Sequence, residues 1–193
     1  MILSNIEIQK AIDEKRLMII PEPTPREAGE NCPYDTASVD LRLGNKLSIP
    51  QRGPFTFDLS KGIKIAEFLS KNCQNIELGS GGYSLQPNTF VLAFTLESIE
   101  LPIIENGCCL AGRIEGKSSF ARCGLLVHFT APTIHPDWKG PLTLEIINLG
   151  VNAIMLYPNM RICQLILEEV KGIPYPNPSQ FHMQTSPCGR KQT

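Results

Sequence analysis

Segments 38–43, 89–96, 125–129, 142–147 and 153–156 are short runs of aliphatic and β-branched residues, with Gly, Pro and Asn punctuating the intervals between them. Side chains on a strand alternate with period two, and runs of this length, closely spaced and bounded by turn residues, fold as an all-β barrel or sandwich. The helical content is expected to be minor. Ser4 and Glu7 form a capping box, Leu3 and Ile8 stand at its staple positions, and Ile8, Ala11 and Ile12 give one apolar stripe that fades near Arg16. A second short helical turn is expected over 63–72. Residues 21–34 hold four Pro together with Gly29 and Asn31, which marks a loop rather than a domain boundary. No internal repeat is present. With 193 residues, 42% of them hydrophobic, the chain should bury one sizeable core. Residues 1–171 are expected to form a single domain. Residues 172–193, rich in Pro, Ser and Gln, are expected to form a flexible tail or lid.

Eighteen Lys and Arg against 19 Asp and Glu give a formal net charge of −1. Such a balance offers no overall field to hold nucleic acid or an anionic membrane, so neither is an expected partner, and an anionic ligand must be met by a local cluster. Polar and charged residues are mixed through 1–17, and no later stretch approaches 18 apolar residues, so neither a signal peptide nor a membrane span is expected. Seven scattered Cys, an odd number, read as reduced thiols of a cytoplasmic protein. There is no C-x-x-C and no H-x-E around any of the three His, so no zinc site is expected.

Three places carry candidate chemistry. In GRIEGKSSFARCG, residues 112–124, Gly116 permits close backbone approach, and Lys117, Ser118, Ser119 and Arg122 form either a polyphosphate cradle or a solvated turn between strands. It is not a P-loop, since Ala111 stands where that spacing needs Gly. In PLTLEII, residues 141–147, Leu142, Leu144 and Ile146 share one strand face while Thr143, Glu145 and Ile147 share the other. Between such neighbours Glu145 is either partly desolvated, with its pKa raised toward proton-shuttling range, or turned to solvent or an Arg. In TIHPDWKG, residues 133–140, Trp138 is either a pocket wall or a plug of the barrel or of a subunit contact. His135 reads as a solvated imidazole on its turn, and His128 as a hydrogen-bonded histidine of the core or an interface.

Taken in order, SVDLRLG (38–44), GKSSFARCGL (116–125), HFTA (128–131), WKG (138–140), LTLE (142–145), YPNMRICQL (157–165) and SQFHMQTSP (179–187) resemble the dCTP deaminase family of the dUTPase-like superfamily. The resemblance covers nearly the whole chain. It implies a distorted, jelly-roll-like β-barrel, a homotrimer with active sites shared between subunits, and a deoxycytidine triphosphate taken with Mg2+ riding on its phosphates rather than held by the protein. Glu145 resembles the catalytic carboxylate, Ser118 and Arg122 its partners in positioning and polarising water, and Ala131 the residue whose carbonyl helps hold that water. Lys117 and Ser119 match phosphate-side contacts, Thr143 and Leu144 the strand beside base and sugar, and Tyr175 and Gln184 the triphosphate contacts of the tail; His135, Trp138 and Gln180 complete the expected substrate site. The implied reaction is zinc-independent hydrolysis of dCTP to dUTP and ammonia, feeding thymidylate synthesis, with dTTP as a feedback ligand of the same pocket.

Three departures bear on that expectation. His135 stands where the family usually has Asp, Lys117 where it has Arg, and Gln180 where many relatives have Lys, leaving Arg190 and Lys191 as late substitutes. An imidazole is no replacement for a carboxylate acceptor, so direct release of dUMP and diphosphate is not expected. Two alternatives stay open, a bifunctional deaminase-diphosphatase and a catalytically reduced nucleotide-binding regulator on the same scaffold.

Overall fold

A computed structural model describes residues 1–54, 56, 58, 60, 65–105, 107–177, 179 and 181–189. The chain opens with helix α1 (Asn5–Asp13), strands β1 (Met18–Ile20), β2 (Tyr34–Asp35) and β3 (Ser38–Pro50), then helix α2 (Ile65–Asn72). Strands β4 (Cys73–Glu77), β5 (Tyr83–Leu85), β6 (Phe90–Glu100) and β7 (Leu110–Gly116) lead to the one-turn helix α3 (Ser118–Ala121). Strands β8 (Leu125–Val127), β9 (Thr133–Ile134), β10 (Lys139–Asn148), β11 (Ile154–Leu156) and β12 (Arg161–Glu169) follow. The protein is thus mostly β with few helices.

Ten strands form one antiparallel sheet in the order β8-β10-β6-β3-β12-β7-β9, with β1 added on β6 and β2 and β4 on β3, while β5 and β11 make a separate ribbon. The sheet curls into a half-barrel. Its edge strand β8 returns to β7, so that a Cβ on Gly116 would lie 3.8 Å from Val127. Inside the curl, Leu41, Leu43, Leu47, Ile99, Leu110, Ile114, Leu144 and Ile146 are fully buried.

Strand β3 runs past the expected 38–43 because its register shifts between Leu43 and Leu47, which lets one strand pair β12 with its first half and β6 with its second. Gly44 lies in that shift, where a Cβ would stand 3.2 Å from the Phe94 carbonyl oxygen. The corner is clasped by a buried charge. Arg42 donates from Nε to Glu97 Oε1 at 2.6 Å and from its backbone N–H to Oε2 at 2.8 Å, and Glu97 is 0% exposed. Nearby, the bulge in β10 between Pro141 and Thr143 would leave the Leu142 N–H without a ladder partner; Thr95 Oγ1 accepts it at 3.0 Å.

The capping box forms as expected at its first half: Ser4 accepts from the Glu7 N–H, and Ile8 and Ala11 are buried. Strand β8 ends at Val127 rather than at 129, because His128, whose N–H still bonds the Glu145 carbonyl, turns into the left-handed region at φ 55 and takes the residues after it out of the ladder. Helix α2 occupies 65–72 of the expected 63–72; residues 63 and 64 lie outside the described residues. Strand β7, which runs into the cradle segment, pairs along its whole length with residues 163–169 of β12, whose first half lies in the family motif at 157–165.

Arg42→Ala leaves the Glu97 carboxylate buried without its cation, and we expect a loss of about 3 kcal/mol or more. Urea melts of the two proteins check this; a midpoint unchanged by the substitution would contradict the clasp.

Candidate active site

Strand β10 places the site. Its buried and half-buried residues alternate, so Leu142, Leu144, Ile146 and Asn148 enter the core while Thr143 and Glu145 face a cavity of about 470 Å³ on the other side of the strand. That volume suits a small organic ligand. Strand β8 pairs β10 with Leu125 opposite Asn148 and Val127 opposite Ile146, and the register carries on to set His128 opposite Glu145, whose carbonyl accepts the His128 N–H at 2.8 Å.

The imidazole of His128 joins two of the expected water-holding groups. Its Nδ1 stands 2.6 Å from Glu145 Oε2 and its Nε2 donates to the Ala131 carbonyl at 2.8 Å. With an acceptor at each nitrogen the ring needs two N–H groups, which is the protonated form. Burial opposes that charge, but the hydrogen bond and negative charge of Glu145, with the carbonyls of Ala131 and Thr143, carry the pKa of His128 above its ordinary value. The Nδ1 to Oε2 contact is a close ion pair, and beside it the Thr143 hydroxyl is buried without a protein partner. A buried hydroxyl left this way is costly, and a ligand in the cavity can supply its partner. Glu145 itself is 31% exposed through the cavity, wet enough to meet water.

All three His of the chain line this cavity: His128, His135 and His182. Trp138 is part of the same wall, packed against the core, and its ring stacks on His182 at 6.4 Å between centroids and 19° between planes. Helix α2, through Ile65 and Leu69, and the tail complete the lining. That tail is docked: Met183 donates its N–H to the Lys139 carbonyl at 2.9 Å, and the buried Gln184 donates from Nε2 to the Pro141 carbonyl at 3.0 Å. Among the described residues lining the cavity none is Lys or Arg, and among the described residues no three His, Cys, Asp or Glu converge as a metal site.

Of the expected site residues, Glu145, Ala131, Thr143, His135, Trp138 and Gln184 meet in this cavity. Leu144 sits on the same strand with its side chain fully buried in the core. Ser118, Ser119 and Arg122 are exposed on and just after α3, outside the cavity of their own chain. Their position is fixed by a close backbone approach: Gly124, at φ 88, has room for no side chain, since a Cβ would lie 2.2 Å from the Gly150 nitrogen. Lys117 donates to Asp40 at 2.6 Å, a carboxylate that also faces Arg161 at 3.8 Å. Tyr175 is 87% exposed and outside the lining. Gln180, Arg190 and Lys191 lie outside the described residues.

The model of the family described as dCTP deaminase-like matches residues 2–170. The chain belongs to this family. It is 36% identical over 180 residues to the dCTP deaminase of Thermomicrobium roseum, covering 91% of this chain and 84% of the relative. To the dUMP-forming dCTP deaminase of Dictyoglomus turgidum it is 34% identical over 198 residues, covering 99% and 94%. The crystal structure of 2'-deoxycytidine 5'-triphosphate deaminase from Agrobacterium tumefaciens shares the fold, with a TM-score of 0.60 at 22% identity over 86% of this chain. The chain spans about half, 47%, of that longer protein. Within this dCTP deaminase-like chain, the residue that sequence reasoning set aside is His128; its place in the HFTA motif beside Ala131 was the available signal.

The charged His128 stabilises the fold in a definite pH range. Its folded pKa is raised, so its contribution is complete below the ordinary value of 6.5 and is lost as pH rises through the higher folded value. Thermal melts should therefore show the gap between wild type and His128→Gln narrowing from pH 6 toward pH 9; a gap that widens with pH would contradict the charged pair.

Proposed function

We propose that this chain hydrolyses dCTP, as its Mg2+ complex, to dUTP and ammonia. The observation that carries the reading is the Glu145–His128–Ala131 constellation in a cavity whose wall mixes apolar and aromatic side chains with polar ones such as Thr143, His135 and Asp137. Glu145 takes a proton from a water that the Ala131 carbonyl, through its second lone pair, and Ser118 hold against C4 of cytosine. Oxygen adds to C4 and the first water proton passes to N3, where it stays; Glu145 then carries the second proton from the new C4 hydroxyl to the amino group, ammonia leaves, and the C4 carbonyl of uracil remains. His128 is a positioning residue: it holds the Glu145 carboxylate and the Ala131 carbonyl at one place with one ring. Thr143 and the backbone of Leu144 lie beside base and sugar.

The phosphates need cations, and the described residues lining the cavity include none from Lys or Arg. A polyanion in a site without Lys or Arg would be strongly disfavoured, whereas Ser118, Ser119 and Arg122 are presented outward on α3. The reading is therefore a homotrimer in which the cradle of one subunit completes the cavity of the next, and in which Lys117 trades Asp40 for phosphate or orients the cradle from behind. The metal ion belongs to the nucleotide. Tyr175, Gln180 and Gln184 with the rest of 172–193 act as the lid over the triphosphate. We further propose that dTTP occupies the same pocket as a feedback ligand, that the product feeds thymidylate synthesis, and that the enzyme works in the cytoplasm.

Relatives named simply dCTP deaminase and relatives named dUMP-forming both align with this chain. His135 offers no carboxylate to accept from the sugar hydroxyl or to activate a second water, which favours deamination alone; Asp137 on the same wall is the carboxylate that the bifunctional reading would have to use. On incubation of the protein with dCTP and Mg2+, equal amounts of dUTP and ammonia are expected without diphosphate; dUMP and diphosphate would establish the bifunctional reading, and tight binding without turnover the regulator. Glu145→Gln should lower turnover by about a hundredfold or more with dCTP binding largely kept. A shared site has a separate test. Mixing unfolded Glu145→Gln with unfolded Arg122→Ala and refolding them together should restore activity that neither variant has alone, while a mixture as inactive as its parts would place each site within one chain.

A further inference from the structure

The end of the tail carries chemistry that deamination does not use. Cys188 is 1% exposed and lines the cavity. Cys73, which follows α2 and opens β4, has the Cys188 side chain as a hydrogen-bonding neighbour. The next residue, Gly189, turns at φ 107 against the same helix, where a Cβ would meet the Ala66 Cβ at 2.6 Å and the Phe181 ring at 3.2 Å. Helix α2 and the tail are thus two halves of one wall. Two neighbouring thiols meet where these halves join, 115 positions apart in the chain by their numbers, 188 less 73.

We propose that Cys73 and Cys188 form a reversible intrachain disulfide that pins the tail across the cavity and stops exchange of substrate and product. The bond itself is independent of the deaminase reading; its effect on turnover rests on that reading. The oxidant is a peroxide. The Cys188 sulfur attacks one oxygen of hydrogen peroxide, the O–O bond breaks, and sulfenic acid and one water result; the Cys73 sulfur then attacks the sulfenic sulfur, the S–S bond forms and a second water leaves. Both thiol protons end in the two waters, the sulfurs are oxidised and the peroxide is reduced. Burial, with the hydrogen bond to Cys188, pushes the Cys73 thiol up to about 12, so the closed, reduced pair is sluggish. Oxidation accordingly begins when the tail lifts and exposes Cys188, and Cys73 captures the sulfenic acid when the tail returns. The device closes the site under oxidising conditions and leaves it working under reducing ones.

The test uses the full chain, reduced, desalted and exposed to hydrogen peroxide, then alkylated, digested and weighed by mass spectrometry, with dCTP turnover followed in parallel. A peptide joining Cys73 to Cys188 within one chain is expected, with turnover lower by about tenfold or more and restored by dithiothreitol. Cys73→Ser, with Cys73→Ala as a second variant should serine disturb packing, should turn over normally when reduced and resist peroxide. The exposed Cys123 controls for general oxidation, since its Ser variant should respond like wild type. Absence of the joined peptide, a peptide joining two chains, or equal peroxide sensitivity of wild type and the Cys73 variants would overturn the proposal. A joined peptide in a chain that never deaminates dCTP would support the latch and refute the deaminase reading, so the two failures are distinct.

Discussion

Strand β10 buries one of its faces and turns the other to a cavity, and the site of this protein follows from that division. Leu142, Leu144 and Ile146 take the core, which commits Thr143 and Glu145 to the opposite side whatever else the chain does. Pairing to β6 along nearly its whole length holds the strand rigid, and the short β8 on its other flank ends where a histidine leaves the ladder. His128 at φ 55 is strained backbone at the point where its imidazole meets Glu145 and the Ala131 carbonyl. The core thus fixes the carboxylate, and the end of the neighbouring strand fixes its partner.

The electrostatics of the cavity are those of half a site. Glu145 and Asp137 supply negative charge and His128 positive, and the remaining lining is largely apolar or aromatic. The cationic, hydroxyl-rich segment lies on the outside of the same chain, braced where Gly124 meets Gly150. The proposed base pocket and the proposed phosphate cradle face different ways on one chain, and this separation is the ground on which a shared site between copies is proposed.

Much of this was legible in the sequence. Period-two alternation from Leu142 to Ile147 gave the two faces of β10, Ser4 gave the start of α1, and the order of motifs gave the family. What stayed hidden depends on pairing between distant segments. The reading of His128 as a packed histidine was right about its hydrogen bonds, yet only the register that sets Leu125 opposite Asn148 reveals that one of its partners is Glu145. The hold of Asp40 on Lys117 links residues 77 positions apart, and no local pattern announces it. The tail has too few large apolar residues to signal a docked segment; it lies down on backbone carbonyls, through Met183 and Gln184, and on a small-residue contact between Gly189 and Ala66.

The central claim is that one subunit's Glu145 and another's α3 segment act on a single nucleotide. A crystal structure of the Glu145→Gln protein grown with dCTP and Mg2+ tests it most directly. The account predicts the cytosine ring against Thr143 and the substituted side chain at position 145, with Ser118 and Arg122 of a neighbouring subunit at the same nucleotide. A nucleotide held wholly by residues of one chain, or seated away from β10, would contradict it.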